Sequence, residues 1–177
     1  LEVKGGSEDA FAELTRRYER SLVSYFFRQA WDRQLAEDFA QEVFLRVFRA
    51  RTDYEPRARF RTYLFHIARN LWIDHIRSRK AQVRELSLSQ PLRSDEEGGS
   101  LQERLEGEAP RPSAQLRHED IRRQIREALE FLPEEQRTVF LLCEVEGMRY
   151  QDVAGMLKIP VGTVKSRAFR ARRELRR

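Results

Sequence analysis

The chain has one cysteine, three histidines and eight glycines among its 177 residues. A single thiol, Cys143, cannot form an internal disulfide, so the fold must rely on apolar burial, and we expect a reducing, cytoplasmic setting. No spacing typical of a zinc site or of a nucleophile–base pair occurs, so we expect no metal, no cofactor and no enzymatic centre. No apolar run reaches the length of a membrane span, so we expect no membrane insertion.

Charge is abundant and unevenly distributed. Charged residues make up 36% of the chain, with a net charge of +5. Lys and Arg against Asp and Glu number 16 to 12 in residues 1–80, 5 to 7 in residues 81–117 and 13 to 10 in residues 118–177. The middle segment also contains Pro and Gly residues and lacks a sustained period. We therefore predict an all-α fold in which two small helical domains, 1–80 and 118–177, are joined by a flexible acidic linker, 81–117, long enough to let them sit far apart.

Three helices are predicted in the first domain from apolar residues at helical spacing. They run from Glu8 to about Gln29, from Leu35 to about Arg49 and from Phe60 to Arg79. The third segment interleaves cations, aromatic rings and a side-chain amide: Arg61, Tyr63, Phe65, Arg69, Asn70, Trp72 and Arg77. Such a mixture suits an unpaired nucleic-acid strand, which needs charge for its backbone and rings for base stacking. The alternative is that the rings fill the core of a small bundle, which we favour for Phe60 and Phe65.

The second domain ends in a predicted helical hairpin. Tyr150, Val153, Ala154 and Leu157 share one face of a short helix, Lys158 and Ile159 form a turn, and Pro160 permits a second helix to begin. One stripe of that second helix is apolar, and the other side carries Gly162, Thr163, Lys165, Ser166, Phe169, Arg170 and Arg173. From Lys158 onward there are eight Lys or Arg residues against the single acid Glu174. A short turn and one-sided positive charge favour a helix-turn-helix that binds the major groove over a merely solvated hairpin.

These segments together resemble the extracytoplasmic-function class of bacterial RNA polymerase sigma factors. The resemblance lies in DAFAELTRRYE, LAEDFAQEVFLRVFRA, FRTYLFHIARNLWIDHIR, ALEFLPEEQRTVFLL and EGMRYQDVAGMLKIPVGTVKSRAFRARREL, in this order. It covers nearly the whole chain. It implies two helical promoter-binding domains, region two in 1–80 and region four in 118–177, without a separate third domain between them.

The resemblance implies RNA polymerase core and promoter DNA as partners. In the family, a D-x-x-Q-E pattern on a region-two helix docks on the clamp of the β′ subunit, and region four meets the β flap. The residues that match the pattern or stand beside it are Asp38, Gln41, Glu42, Leu45 and Arg46. The spacing i, i+3, i+4 puts the three pattern residues on one helix face, although a solvated polar face is the ordinary alternative.

Two DNA sites and one inhibitor are implied as well. For the −10 element, with Asn70 near a flipped-out base, the candidates are Arg61, Tyr63, Arg69, Asn70, Trp72 and Arg77. For the −35 element they are Pro160, Gly162, Thr163, Lys165, Ser166, Arg167, Phe169, Arg170 and Arg173. Members of the family are generally restrained by an anti-sigma factor, which can clamp two tethered domains.

One alternative function remains open on the sequence alone. A stand-alone transcription regulator could use the same C-terminal hairpin. It would bind duplex DNA unaided, whereas a sigma factor would require core polymerase. This alternative leaves the Asp38, Gln41 and Glu42 face and the cations of Phe60 to Arg77 without a role.

Overall fold

The computed structural model describes residues 7–55, 59–89 and 113–176. Every regular element in these ranges is helical, which confirms the predicted all-α class. The helices form two bundles, one in residues 7–89 and the other in residues 113–176.

Three helices form the first bundle: α1 (Glu8–Ala30), α2 (Arg33–Arg49) and α3 (Phe60–Ser89). The Ser7 hydroxyl accepts from the Ala10 N–H at 3.2 Å and so caps α1. Trp31 ends α1 in the left-handed conformation at φ 57°, and the Asp32 carboxylate caps α2 through the Leu35 N–H at 3.0 Å. This tight corner sets α1 and α2 side by side.

Aromatic side chains fill the core between these helices. Tyr25, Phe26 and Phe65 are fully buried, and the rings of Tyr25 and Phe65 meet edge to face with centroids 5.5 Å apart. Phe39 stacks on Phe26 with centroids 5.1 Å apart. Burial raises the pKa of Tyr25 to about 12, as expected for a phenol kept from water. Phe65 is therefore a core residue, as we favoured from the sequence.

Helix α3 is longer than predicted. It continues to Ser89, nine residues into the segment expected to be linker, and α4 begins at Ser113 instead of His118. The physical reason is local: 81–89 is rich in helix-forming Ala, Gln, Arg, Glu and Leu, and the first proline is Pro91. The remainder of the predicted linker, 90–112, lies outside the described residues.

Four helices and a π-helical turn form the second bundle. They are α4 (Ser113–Phe131), α5 (Glu134–Phe140), the π turn (Leu141–Val145), α6 (Tyr150–Leu157) and α7 (Val161–Glu174). The π turn closes with the Glu146 N–H donating to the Leu141 carbonyl at 2.9 Å. Gly147 follows at φ 64°, a conformation that favours glycine, and so ends the helical run.

The core of the second bundle is aliphatic. Val139, Leu142, Val153, Val164 and Ala168 are completely buried. Removing each large aliphatic side chain from water contributes on the order of 1.5–3 kcal/mol. Cys143 also lies in this core, and burial raises the pKa of its thiol to about 12, so it is a small apolar residue and not a reactive thiolate.

The two bundles touch each other. A guanidinium nitrogen of Arg61 in α3 donates to the Glu146 carboxylate at 2.7 Å, and the Arg126 guanidinium of α4 lies 5.8 Å from the centroid of the Trp31 ring. The sequence suggested two lobes able to sit far apart. In this structure they are in contact.

Candidate nucleic-acid interface

The outer face of α7 is built as the sequence predicts. Val164, Ala168 and Ala171 are fully buried and fix the helix against the bundle. The remaining face is exposed, and the exposed candidates are Pro160, Gly162, Lys165, Ser166, Phe169, Arg170 and Arg173. Phe169 is a large apolar side chain that is 60% exposed, and such exposure is typical of residues in binding surfaces. Cations around an exposed ring suit a nucleic-acid surface.

The start of α7 offers backbone donors. Pro160 precedes the helix with φ −59° and ψ 145°, and no side chain caps this end. The N–H of Thr163 already bonds to the Pro160 carbonyl at 2.9 Å. The exposed Gly162 leaves open space beside the helix start, so a phosphate can approach the first turn closely.

Two ion pairs join one side of α7 to α5 and to the π turn, and the sequence did not predict them. The Arg167 guanidinium donates to the Glu135 carboxylate of α5. Arg172 lies 3.8 Å from the Glu144 carboxylate of the π turn, which also accepts from the Tyr150 hydroxyl at 2.8 Å. Arg167 is therefore an occupied candidate, while Lys165 and Arg170 remain on the open face. No local sequence pattern pairs residues 32 positions apart, so only the fold could show this.

Helix α3 brings Arg69, Asn70 and His66 together. Arg69 donates to the Asn70 side-chain oxygen at 3.2 Å, and the Asn70 side-chain nitrogen lies 3.5 Å from Nε2 of His66. All three side chains are half-buried. The pKa of His66 is lowered, first by burial and then by the nearby Arg69 and Lys158 charges, so the ring favours its neutral form and can accept from the amide. The Asn70 amide is thus oriented beside a cation, as a base-edge contact requires.

Arg61 and Tyr63 occupy different surroundings from each other. Arg61 is paired with Glu146 of the second bundle, and its guanidinium also lies 5.6 Å from the Phe65 ring centroid. Tyr63 belongs to a ring cluster with Tyr54, at 4.8 Å between centroids, and with Phe60. Burial raises the pKa of Tyr63, yet the side chain remains partly accessible.

Trp72 is a correction to the predicted −10 site. It is only 6% exposed, and its ring meets the edge of Phe39 at 6.0 Å and tilts against His75 at 5.6 Å. The residue lies on the inner side of α3, where α1 and α2 cover it. At 6% exposure the ring offers little surface on which a base could stack, so the structure favours a core role for Trp72.

A cleft of about 380 Å³ lies between the bundles. From α3 it is lined by Arg69, Arg77 and Lys80, and from the second bundle by Glu134, Glu135 and Arg167 among others. Arg69 and Arg77, predicted to contact the −10 element, thus line the same cleft as Arg167, which was predicted to contact the −35 element. Two acids of α5 face these cations, and Lys80 is a cation that the sequence-based selection omitted.

Helix α2 presents a mixed polar and apolar face. Asp38, Gln41, Leu45 and Arg46 are exposed, and Glu42 is half-buried. Arg46 pairs with Glu42 at 2.8 Å, and Asp38 accepts from Gln34 at 3.1 Å. Leu45 is 48% exposed in the middle of these groups. An apolar side chain framed by oriented polar groups is typical of a protein-binding surface.

Among the described side chains no cluster of three or more His, Cys, Asp or Glu residues could hold a metal ion. Within the same ranges, no helix combines the length and the apolar character needed to cross a bilayer.

Comparison with known proteins matches both bundles separately. Residues 14–82 match the family model described as "Sigma-70 region 2", and residues 122–175 match "Sigma-70, region 4". The RNA polymerase sigma-H factor of Pseudomonas aeruginosa is 31% identical, over 96% of this chain and 86% of its own length. The ECF RNA polymerase sigma factor SigW of Bacillus subtilis is 30% identical, over 99% of this chain and 92% of its own length.

Solved structures share the fold. The sigma factor RpoE from Bartonella quintana, crystallised with the anti-sigma factor NepR, aligns with a TM-score of 0.69 at 22% identity, covering 94% of both chains. CnrH, solved with the cytosolic domain of CnrY, aligns with a TM-score of 0.69 at 23% identity, covering 98% of this chain and 90% of its own.

Proposed function

The chain belongs to the extracytoplasmic-function (ECF) class of RNA polymerase sigma factors, and we propose that it binds core polymerase and directs it to promoters. One observation carries this proposal: sigma regions 2 and 4 follow one another along the chain, each on its own helical bundle. The first bundle exposes the α2 face and the second exposes the basic face of α7. Sigma factors are transcription initiation factors. Polymerase and promoter DNA are cytoplasmic in bacteria, so we propose that the protein acts in that compartment. We also propose that it has no enzymatic activity of its own.

The polymerase contact is assigned to the exposed face of α2. Its members are Asp38, Gln41, Glu42, Leu45 and Arg46. Exposed Leu45 can insert into a partner helix pair while the framing polar groups fix orientation, which is the division between anchor and rim seen in protein interfaces. The partner is the β′ clamp, with the β flap meeting the second bundle. We propose domain limits that follow the helices, with α1–α3 as region two and α4–α7 as region four.

Promoter contacts are assigned to two helices. For the −10 element we propose Arg61, Tyr63, Arg69, Asn70 and Arg77 of α3, with Trp72 as their structural support. Flipping a base costs a few kcal/mol of unstacking, which a pocket around an oriented amide can return. For the −35 element we propose the exposed face of α7, in which Lys165 and Arg170 read bases and Arg173 contacts phosphate. Arg167, which pairs with Glu135 in this structure, would contact phosphate by exchanging that carboxylate for DNA. The backbone near Pro160, Gly162 and Thr163 and the side chains of Ser166 and Phe169 complete that surface.

We further propose that an anti-sigma factor restrains the protein. One chain of the same fold, the sigma factor RpoE, was solved in complex with the anti-sigma factor NepR, and a second, CnrH, was solved in complex with the cytosolic domain of CnrY. A partner lying across both bundles would cover the α2 face and the inter-bundle cleft at once.

Transcription in vitro tests the proposal. Purified protein added to core polymerase should start run-off transcription from a subset of a promoter pool, and core alone should not. Leu45→Glu, which places a charge on the α2 face, should abolish transcription while −35 duplex binding persists. A folded protein that never starts transcription on any pool, yet binds a duplex specifically by itself, would favour the stand-alone regulator.

A further inference from the structure

Two of the five cations on α7 pair with acids of other elements in the same bundle. Arg167 donates to the Glu135 carboxylate of α5, and Arg172 lies 3.8 Å from the Glu144 carboxylate of the π turn. The other three are exposed, and they are Lys165, Arg170 and Arg173. The second bundle therefore supplies its own acid to two of the side chains that a DNA backbone would attract.

The two paired arginines lie at opposite edges of the exposed face of α7. At about 100° per residue, positions 167 and 172 are roughly 140° apart around the helix axis. The fully buried Val164, Ala168 and Ala171 lie between them on the packed side. A helix in the major groove has phosphates along both of its edges. Arg167 and Arg172 therefore stand where a side chain can reach a DNA backbone.

The two pairs differ in how firmly the acid is held. Glu144 is 27% exposed and also accepts from the Tyr150 hydroxyl, so it is fixed between the helices of the hairpin. Glu135 is 70% exposed, whereas its partner Arg167 is only 23% exposed. An ion pair with one exposed member contributes little to stability, so a well-placed phosphate can displace the Glu135 carboxylate. A poorly placed phosphate gains little, because it must break the pair first.

We propose that Glu135 is a specificity-determining residue of the −35 interaction, although it makes no contact with DNA itself. On DNA of arbitrary sequence its carboxylate keeps Arg167 from the backbone. On the correct duplex, base contacts hold α7 in the groove and place a phosphate where it displaces Glu135. Nonspecific binding thus lacks a contact that specific binding recovers. The inference rests on the proposed sigma-factor function and names a residue that sets its selectivity.

The salt dependence of duplex binding measures the withheld contact. The probes are a duplex enriched from a randomised pool by the unsubstituted full-length chain, and the unselected pool. For Glu135→Gln we expect affinity for the unselected pool to rise several-fold. The slope of log affinity against log salt concentration should steepen by about 0.9, the value for one added phosphate contact. On the enriched duplex, where Arg167 already contacts phosphate, the slope should stay the same and affinity should rise less.

Glu134→Gln is the matched control. Glu134 and Glu135 both lie in the first turn of α5 and line the same cleft, so the two variants remove an equal charge from nearly the same place. In the double variant Glu135→Gln/Arg167→Ala, the gain on the unselected pool should disappear. Equal slopes for Glu135→Gln and Glu134→Gln would overturn the proposal, and so would a gain that persists without Arg167.

Run-off transcription with core polymerase separates this inference from the function on which it rests. If the unsubstituted chain starts transcription but Glu135→Gln leaves the salt slope unchanged, only the role of Glu135 is overturned. If the chain starts no transcription while the slope steepens as expected, the sigma-factor function is wrong and Glu135 still sets the selectivity of duplex binding. Failure to enrich any duplex would overturn both the −35 assignment and this inference.

Discussion

The hydroxyl of Tyr150 donates to the carboxylate of Glu144 at 2.8 Å, joining the first residue of α6 to the π turn that precedes it. The same carboxylate lies 3.8 Å from Arg172 of α7. One acid therefore touches both helices of the helix-turn-helix. The π turn makes this possible, because its extra residue per turn changes the direction in which Glu144 projects.

Tyr150→Phe should lower the free energy of unfolding by about 0.5–1.5 kcal/mol, the usual net contribution of one such hydrogen bond. The value belongs in the lower half of that range because the bond is solvent-exposed. Urea unfolding of Tyr150→Phe, Glu144→Ala and the double variant gives a double-mutant cycle that isolates the pair. Strictly additive losses would show that the hydrogen bond does not stabilise the hairpin.

Arg170→Ala should reduce discrimination at one −35 base pair by about 1–3 kcal/mol, because Arg170 lies on the exposed face of α7 where a guanine edge can be reached. Arg172→Ala is the matched control. It removes an equal charge two positions away, on the side that faces Glu144. Binding to a panel of singly substituted −35 duplexes measures the effect. Equal relaxation of specificity by both variants would refute the assignment of Arg170.

Leu45→Ala should weaken binding to core polymerase by about 1–2 kcal/mol with little change in stability, since a half-exposed side chain contributes little to the core. Glu37→Ala, also on α2 and paired with Arg33, is the control and should leave affinity near that of the unsubstituted protein. Titration of labelled protein with core enzyme reports both. If Glu37→Ala weakens binding more than Leu45→Ala, the polymerase face lies elsewhere on α2.

Local patterns predicted most of the fold. The hairpin around Lys158 was predicted from residues within one or two turns of each other, and the cap by Ser7 and the end of α1 at Trp31 depend on equally local contacts. The end of α3 was not predicted correctly. We placed the start of the linker at residue 81 because acidic residues and glycines follow it, but helix-forming residues continue almost to Pro91 and α3 ends at Ser89. The π turn has no sequence signature that we could read.

The candidate site was less predictable than the fold. Trp72 and Asn70 are two residues apart in one helix, and only the packing of α1 and α2 decides that Trp72 is buried while Asn70 reaches the surface. Nothing in the sequence around Glu146 indicated that its side chain would be buried. Its partner Arg61 is 85 positions away, so its burial depends on how the bundles meet.

Trp72→Ala should destabilise the first bundle by about 3–5 kcal/mol, because it leaves a large cavity beside Phe39. Asn70→Ala, on the accessible side of the same helix, should leave the unfolding midpoint nearly unchanged and slow promoter opening. Thermal melts followed by circular dichroism, together with permanganate footprinting of the melted strand, separate the two effects. Trp72→Ala with unaltered stability and impaired opening would restore Trp72 as a DNA contact.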